Sequence, residues 1–362
     1  MKIIIASQLL NQAVATVARA LGNKPNTPAL EGILVETCAD GVFFHATDTS
    51  LGISVKTEAI VEMPGQLLVQ GRLFAEITRK LAVGDACLAQ TGTAASLTCN
   101  EACFSLATLD AESFPKIEET PKTAPVLFSS KTLRDKLSRT LFAASSDESR
   151  GALTGCLFEK QGKTLTLVTL DGARMAMVYE ALDGDEFSVV LPAKGLSELQ
   201  KLLPDEGQVS MWIQGSLASF SVGDTLVQTR LVAGDYARYQ GLIPSSYTTR
   251  VEMQADVLRD CVDRVAVLSR EASNHLIVMS IEEQRMVLSS KSQIGTAREE
   301  VPVLHEGENL EVCFNAKLMG DVLRVIDTPS VVMTMTTPLA ACTLAPATDA
   351  GWKYVVMPVR IS

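Results

Sequence analysis

The chain has three histidines, His45, His275 and His305, and no H-E-x-x-H or comparable spacing that would set two of them on one metal. The close cysteine pair, Cys99 and Cys103 in T-C-N-E-A-C-F-S-L, has no second Cys or His pair nearby to complete a zinc site, and reads as ordinary strand or turn. The run S-S-D-E-S-R at 145–150 offers carboxylates for acid–base work, but such a run is first of all a solvated loop. In T-L-D-G-A-R-M, Asp171, Gly172 and Arg174 combine a carboxylate, a permissive backbone and a guanidinium; hairpin geometry accounts for the Asp. No phosphate loop, dinucleotide fingerprint or nucleophile elbow is present. With nucleophile, base and orienting group nowhere combined, catalysis, metal and cofactor are not expected.

Binding is better represented. The C-terminus reads W-K-Y-V-V-M-P-V-R-I, an apolar β-branched run followed by Pro358 and Arg360, where chain ends are usually polar and frayed. It looks like half of a binding site.

The elements that position these residues repeat. Amphipathic helices are expected from Ser7, Ser130 and Ala255, in S-Q-L-L-N-Q-A-V, S-K-T-L-R-D-K-L and A-D-V-L-R-D-C-V, with Leu133, Leu137 and Leu141 on one face of the second. A second set is expected from Val69, Leu191 and Phe314. Alternating runs such as E-G-I-L-V-E-T and L-T-L-V-T-L lie between them and read as antiparallel hairpins. Three α+β domains follow, 1–122, 123–249 and 250–362, jointed at E-E-T-P-K-T-A-P and I-P-S-S-Y-T-T-R.

Charge is distributed unevenly over this pattern. The six helical windows carry +7 together, so the rest of a chain of net charge −10 carries −17. The basic side chains include Arg72, Lys80, Lys131, Arg134, Arg139, Lys194, Lys201 and Lys317. On a common surface they would attract a polyanion through its phosphates, without reading sequence. Taken singly, each helix merely places Lys and Arg on its solvated face.

No apolar run approaches the roughly 18 residues needed to cross a bilayer. The opening M-K-I-I-I-A stops at Ser7 and Gln8, so no secretion signal is expected, and eight scattered cysteines suit a reducing cytoplasm.

The pieces F-S-L-A-T-L-D-A-E-S-F-P-K-I, L-T-G-C-L-F-E-K, T-L-D-G-A-R-M-A, R-L-V-A-G-D-Y-A-R-Y-Q-G-L-I-P, F-N-A-K-L-M-G-D-V-L and Y-V-V-M-P-V-R-I together resemble the bacterial DNA polymerase III β sliding-clamp family, in order and over the whole length. The resemblance implies a head-to-tail homodimer closed into a ring around duplex DNA, helices inside and sheets outside. It implies a tether for polymerase, clamp loader and repair proteins, which dock Gln-Leu-x-Leu-Phe-like peptides between the second and third domains. The alternative is a scaffold of the same fold that does not retain DNA.

Carried over by motif, the peptide pocket comprises Leu153, Leu170, Gly172, Arg174, Met175 and Leu242, with Asn315, Leu318, Leu339, Val355, Met357, Pro358, Val359 and Arg360. Lys24 and Arg150 are implied DNA contacts; Phe104 and Leu106 are implied to meet Val267 and Leu268 across the dimer joint. The chain departs from the family pattern at Leu170, Ala173, Ala237, Gly241 and Leu318, which implies a roomier, less polar pocket.

Overall fold

The computed structural model describes residues 1–22, 27–269, 275–348 and 351–360. It divides into two compact units, one of residues 1–133 and 197–231, the other of residues 134–196 and 232–362. Strand pairing is antiparallel throughout. Among the described residues the first unit has a thirteen-stranded sheet, and the second has sheets of nine and four strands.

Six α-helices form among the described residues: α1 (Ser7–Val17), α2 (Gly71–Lys80), α3 (Ser130–Ser138), α4 (Ala193–Leu202), α5 (Ala255–Ser269) and α6 (Ala316–Val325). The first, third and fifth begin where periodicity placed them. The others begin two residues late, for one shared reason. Val69, Leu191 and Phe314 are the buried penultimate residues of strands that end at Gln70, Pro192 and Asn315, and Gln70 and Asn315 then cap their helices by accepting from backbone N–H groups. Helix α3 is shorter than its sequence pattern: Leu133 and Leu137 are buried on it, but Leu141 opens a separate 3₁₀ turn. Between them Thr140 turns its hydroxyl back onto the Lys136 carbonyl at 2.9 Å, a bond that competes with helix continuation.

In the first unit α1 packs on α2 and on the strands Gly41–Thr47 and Leu51–Thr57. It buries Leu10, Val14 and Val17, and those strands bury Phe44, Ala46 and Ile53. In the second unit α5 packs on α6 and on the strands Arg285–Lys291 and Thr296–Pro302, burying Leu258, Val262 and Val265. The middle stretch of the chain supplies strands to both units. Thr225–Arg230 pairs with Leu51–Thr57 in the first, and Arg174–Ala181 pairs with Trp352–Val356 in the second.

His45 is buried inside the first unit. Its Nδ1 lies 2.7 Å from Ser54 Oγ, and burial pulls its pKa down to about 4. The neutral ring is the folded form, so its contribution is complete above the unfolded pKa near 6.5 and is lost as pH falls toward 4. At about 1.4 kcal/mol per pKa unit the loss amounts to roughly 3 kcal/mol. Urea titrations at pH 7 and pH 4.5 should therefore show a larger drop for the parent chain than for His45→Gln; equal drops would refute a buried neutral imidazole.

Candidate functional site

The terminal run is the strand Trp352–Val356, held between Arg174–Ala181 and Cys342–Pro346 in the interior of the nine-stranded sheet. Its register sets Met175 opposite Val355 and Arg174 opposite Val356. Two backbone bonds then tie down the tail, Met357 N–H to the Ala173 carbonyl and Val359 N–H to the Cys313 carbonyl, both 2.8 Å. Residues 352–359 thus form a fixed wall.

The facing wall is the turn at 170–175. Asp171 Oδ1 accepts from the N–H groups of Ala173 and Arg174 at 2.9 and 3.0 Å. Gly172 has φ +93°, a conformation that L side chains rarely adopt. A Cβ there would also lie 2.8 Å from Arg150 Nη1, which itself donates to the Asp171 carbonyl at 2.8 Å. Arg150 therefore sits at the rim of this turn.

Turn and tail enclose a cleft of about 90 Å³, lined by Leu170, Gly172, Ala173, Arg174, Met175, Leu242, Val355 and Met357. Leu170, Met175 and Val355 are buried at its floor, while Leu242 and Met357 remain about half exposed at its mouth. Small-molecule sites usually exceed roughly 300 Å³, so this cleft suits an aliphatic anchor side chain rather than a whole cofactor. Beneath it lies a core of Leu157, Val168, Met177, Val190 and Tyr239, on which the half-buried Leu153 packs. Tyr239 donates to Glu159 Oε2 at 2.6 Å; burial, followed by that carboxylate, pushes its pKa up.

Arg174 locks the turn from below. Its Nε donates to Asp171 Oδ2 at 3.0 Å, its Nη1 to Asp321 Oδ2 at 2.8 Å, and its guanidinium lies 5.5 Å from the Phe142 ring centre. Burial pulls its pKa down, but the hydrogen bond to Asp321 and the surrounding charges prevail and hold it above the usual arginine value.

Seven of the sequence-derived pocket residues line this cleft, and Ala173, noted only as a departure, lines it with them. Asn315 does not. Its amide is engaged in capping α6, and the residue lines a different cavity with Lys317 and Asp321. Leu318 is half-buried and its carbonyl accepts from Tyr354 at 3.1 Å. Leu339 and Arg360 are exposed, and Pro358 and Val359 are half-buried beyond the lining.

The basic residues divide by environment. Arg72, Lys80, Lys131, Arg150, Lys194, Lys201 and Lys317 are exposed, and Arg134 is half-buried. Lys80 pairs with the exposed Glu76 at 3.1 Å and Lys201 with the half-buried Glu198 at 2.6 Å, and both cations stay at the surface. Arg139 differs from the others: its Nη2 donates to both carboxylate oxygens of Asp327 at 2.9 Å, and its side chain is only 16% exposed. Lys24 lies outside the described residues.

The expected dimer joint includes Leu106. On Ala102–Leu109 the alternation turns it inward, where it is 7% exposed and belongs to the core; Phe104 is half-buried. Val267 is 58% exposed and Leu268 half-buried. Sequence reading missed Ile294, 73% exposed, although an isoleucine in the polar turn S-Q-I-G is a visible signal. The next residue, Gly295, approaches Leu268.

Three family models match in chain order: the DNA polymerase III beta subunit N-terminal domain at residues 1–118, its central domain at 128–238 and its C-terminal domain at 240–360. The chain is 28% identical to a beta sliding clamp of Synechocystis sp. and 29% identical to one of Streptomyces coelicolor, over all of both chains in each case. Among solved structures it is similar to the DNA polymerase sliding clamp of Bacillus subtilis, with a TM-score of 0.97, 26% identity and full coverage of both chains. It is also similar to the Thermotoga maritima DNA polymerase III beta subunit, with a TM-score of 0.92, 28% identity and full coverage.

Proposed function

The chain belongs to the DNA polymerase III β-subunit family, and from that premise we propose that it is a sliding clamp, which encircles duplex DNA and tethers a polymerase to it. The observation that carries this reading is the full-length match of three β-subunit domains in order, with the same fold as solved clamps. On this reading the domains are 1–122, 123–249 and 250–362, and the protein acts in the cytoplasm as a non-catalytic tether. A tether raises the local concentration of its partner at the primer end without a new contact to the reacting atoms. Phosphate contacts from the exposed cations are weak and sequence-independent, as sliding requires.

The cleft beside the terminal strand is the docking place for Gln-Leu-x-Leu-Phe-like peptides of polymerase, clamp loader and repair proteins. Its aliphatic floor and the methionine at its mouth suit leucine anchors and tolerate varied ligands.

The decisive experiment loads the protein on nicked circular DNA with a clamp loader of verified ATPase activity, then compares co-elution at high salt before and after the circle is linearised. Retention on the circle that disappears on linearisation is the expected result. Equal, salt-sensitive binding to both forms would indicate simple electrostatic binding, and no binding to either would indicate the DNA-free scaffold.

Ring closure would join two copies head to tail. Two unpaired strand edges support this: Cys103–Ala107, beyond the short pairing of Thr108 and Leu109, and the outer edge of Thr296–Pro302. Val267 and Ile294 supply apolar surface beside the second edge. Val267→Asp combined with Ile294→Asp should weaken dimerisation by roughly thirtyfold or more, the effect of losing an interface hot spot of about 2 kcal/mol. Sedimentation of an unchanged dimer at nanomolar concentration would move the joint elsewhere.

A further inference from the structure

The face of the first unit's sheet away from α1 carries a groove of about 940 Å³ that the clamp reading does not use. Its floor comes from adjacent strands in direct register: Leu34 opposite His45, His45 opposite Ser54, and Glu36 opposite Phe43. Phe43 and His45 stack with ring centres 5.5 Å apart and planes 15° from parallel. The segment 111–122 straps over this floor. It is anchored by Phe114, which packs with Leu34 and Leu68, and by the Glu118 carbonyl, which accepts from Gln228 Nε2 at 3.0 Å. The strap spans the groove rather than filling it.

The chemistry of the lining is one-sided. Glu36, Glu112, Glu118, Glu119 and Asp224 contribute five carboxylates against the two ammonium groups of Lys116 and Lys122. Burial keeps the imidazole of His45 neutral at pH 7, so the floor is an uncharged aromatic pair under an acidic rim. Glu36 stands opposite Phe43 in the register. Its Oε2 lies 3.7 Å from His45 Nε2, too far for a hydrogen bond, and its side chain is 53% exposed. A planar cation set over Phe43 would gain both the attraction of the ring quadrupole and a charge-assisted hydrogen bond donated to the Glu36 carboxylate.

We propose that this groove docks an arginine-bearing extended segment of a partner protein, the guanidinium lying over Phe43 and pairing with Glu36. Arginine fits better than lysine because its flat guanidinium stacks on the ring while its N–H fork meets a carboxylate. A volume of about 940 Å³ lies at the upper end of the range of small-ligand sites, enough for the residues that flank the anchor.

The test uses the full chain and a fluorescein-labelled Gly-Gly-Arg-Gly-Gly peptide, read by anisotropy at low salt. A peptide with citrulline in place of arginine keeps the shape and removes the charge. Arginine-peptide binding at least tenfold tighter than citrulline-peptide binding is expected, and Glu36→Gln and Phe43→Leu should each weaken it at least fivefold. Asp183→Asn removes an exposed carboxylate of the second unit and should leave it unchanged. Equal weakening by Asp183→Asn and Glu36→Gln would reduce the effect to diffuse attraction and overturn the proposal. So would the absence of binding at millimolar peptide, equal affinity for citrulline, or equal affinity for free arginine amide, which would make the site one for a small cation. Unchanged binding of a Gln-Leu-Ser-Leu-Phe peptide by both groove variants would show that they fold normally.

Discussion

A chain cut after Val356 is expected to bind a labelled Gln-Leu-Ser-Leu-Phe peptide at least tenfold more weakly than the full chain while remaining dimeric. The cut removes Met357, which lines the cleft and is half exposed at its mouth, together with the bond from its N–H to the Ala173 carbonyl. Covering a methionine side chain with a ligand contributes about 1.5–3 kcal/mol, and each 1.4 kcal/mol is a factor of about ten in affinity. The fold should survive, because the strand itself remains. Trp352 Nε1 still donates to the Arg139 carbonyl at 3.0 Å, Tyr354 to the Leu318 carbonyl at 3.1 Å, and Val355 and Val356 stay buried. A cut one residue earlier would delete the fully buried Val356 and confuse lost binding with lost packing. Met357→Ala, which keeps the backbone tie, separates the two contributions and should weaken binding by a smaller factor. Unchanged affinity in the truncated chain would take the tail out of the site.

The same residues show how far local pattern reaches. Helix starts at Ser7, Ser130 and Ala255 were readable because polar residues precede apolar positions at helical spacing, a relation contained within a dozen residues. The two-residue delay of α2, α4 and α6 was not read, because Val69, Leu191 and Phe314 are equally good as strand ends or as first-turn residues. Only the strands beside them decide which. Long-range pairing was invisible for the same reason. Arg139 looks like a free helix cation until Asp327, 188 residues away, is folded against it. How far Leu106 is buried is not readable until the sheet shows which face of its strand is filled. At the cleft, the turn and the terminal strand stood out as motifs, but the register that sets Met175 against Val355 is a tertiary fact. Asn315 was readable in principle: an asparagine just before an apolar-periodic run is a cap signal, and the cap is what engages its side chain.

Arg174→Ala should lower stability by about 3 kcal/mol, more than any surface cation would, and should loosen the cleft with it. The arginine side chain is only 9% exposed, and its two partners, Asp171 and Asp321, are 20% and 17% exposed. Truncation leaves two carboxylates in a poorly hydrated place, and it is their uncompensated charge, not the lost attraction, that sets the cost. Arg324, which reaches Asp321 Oδ1 at 3.1 Å, relieves one of them and keeps the effect at the lower end of the range for broken buried pairs. The other, Asp171, holds the turn through its Oδ1 bonds to Ala173 and Arg174, so any movement of this carboxylate opens the facing wall of the cleft. The urea midpoint should therefore fall, and peptide affinity should fall with it. If unpaired charge is the cause, Asp321→Asn added to Arg174→Ala recovers part of the stability, a coupling that a double-mutant cycle reads directly. Recovery of stability without recovery of peptide affinity would assign the cleft to Asp171, since that residue alone belongs to the turn. A fall below about 1 kcal/mol for Arg174→Ala, the size expected of an exposed pair, would show instead that both carboxylates regain water and that the clamp on the turn is not what shapes the site.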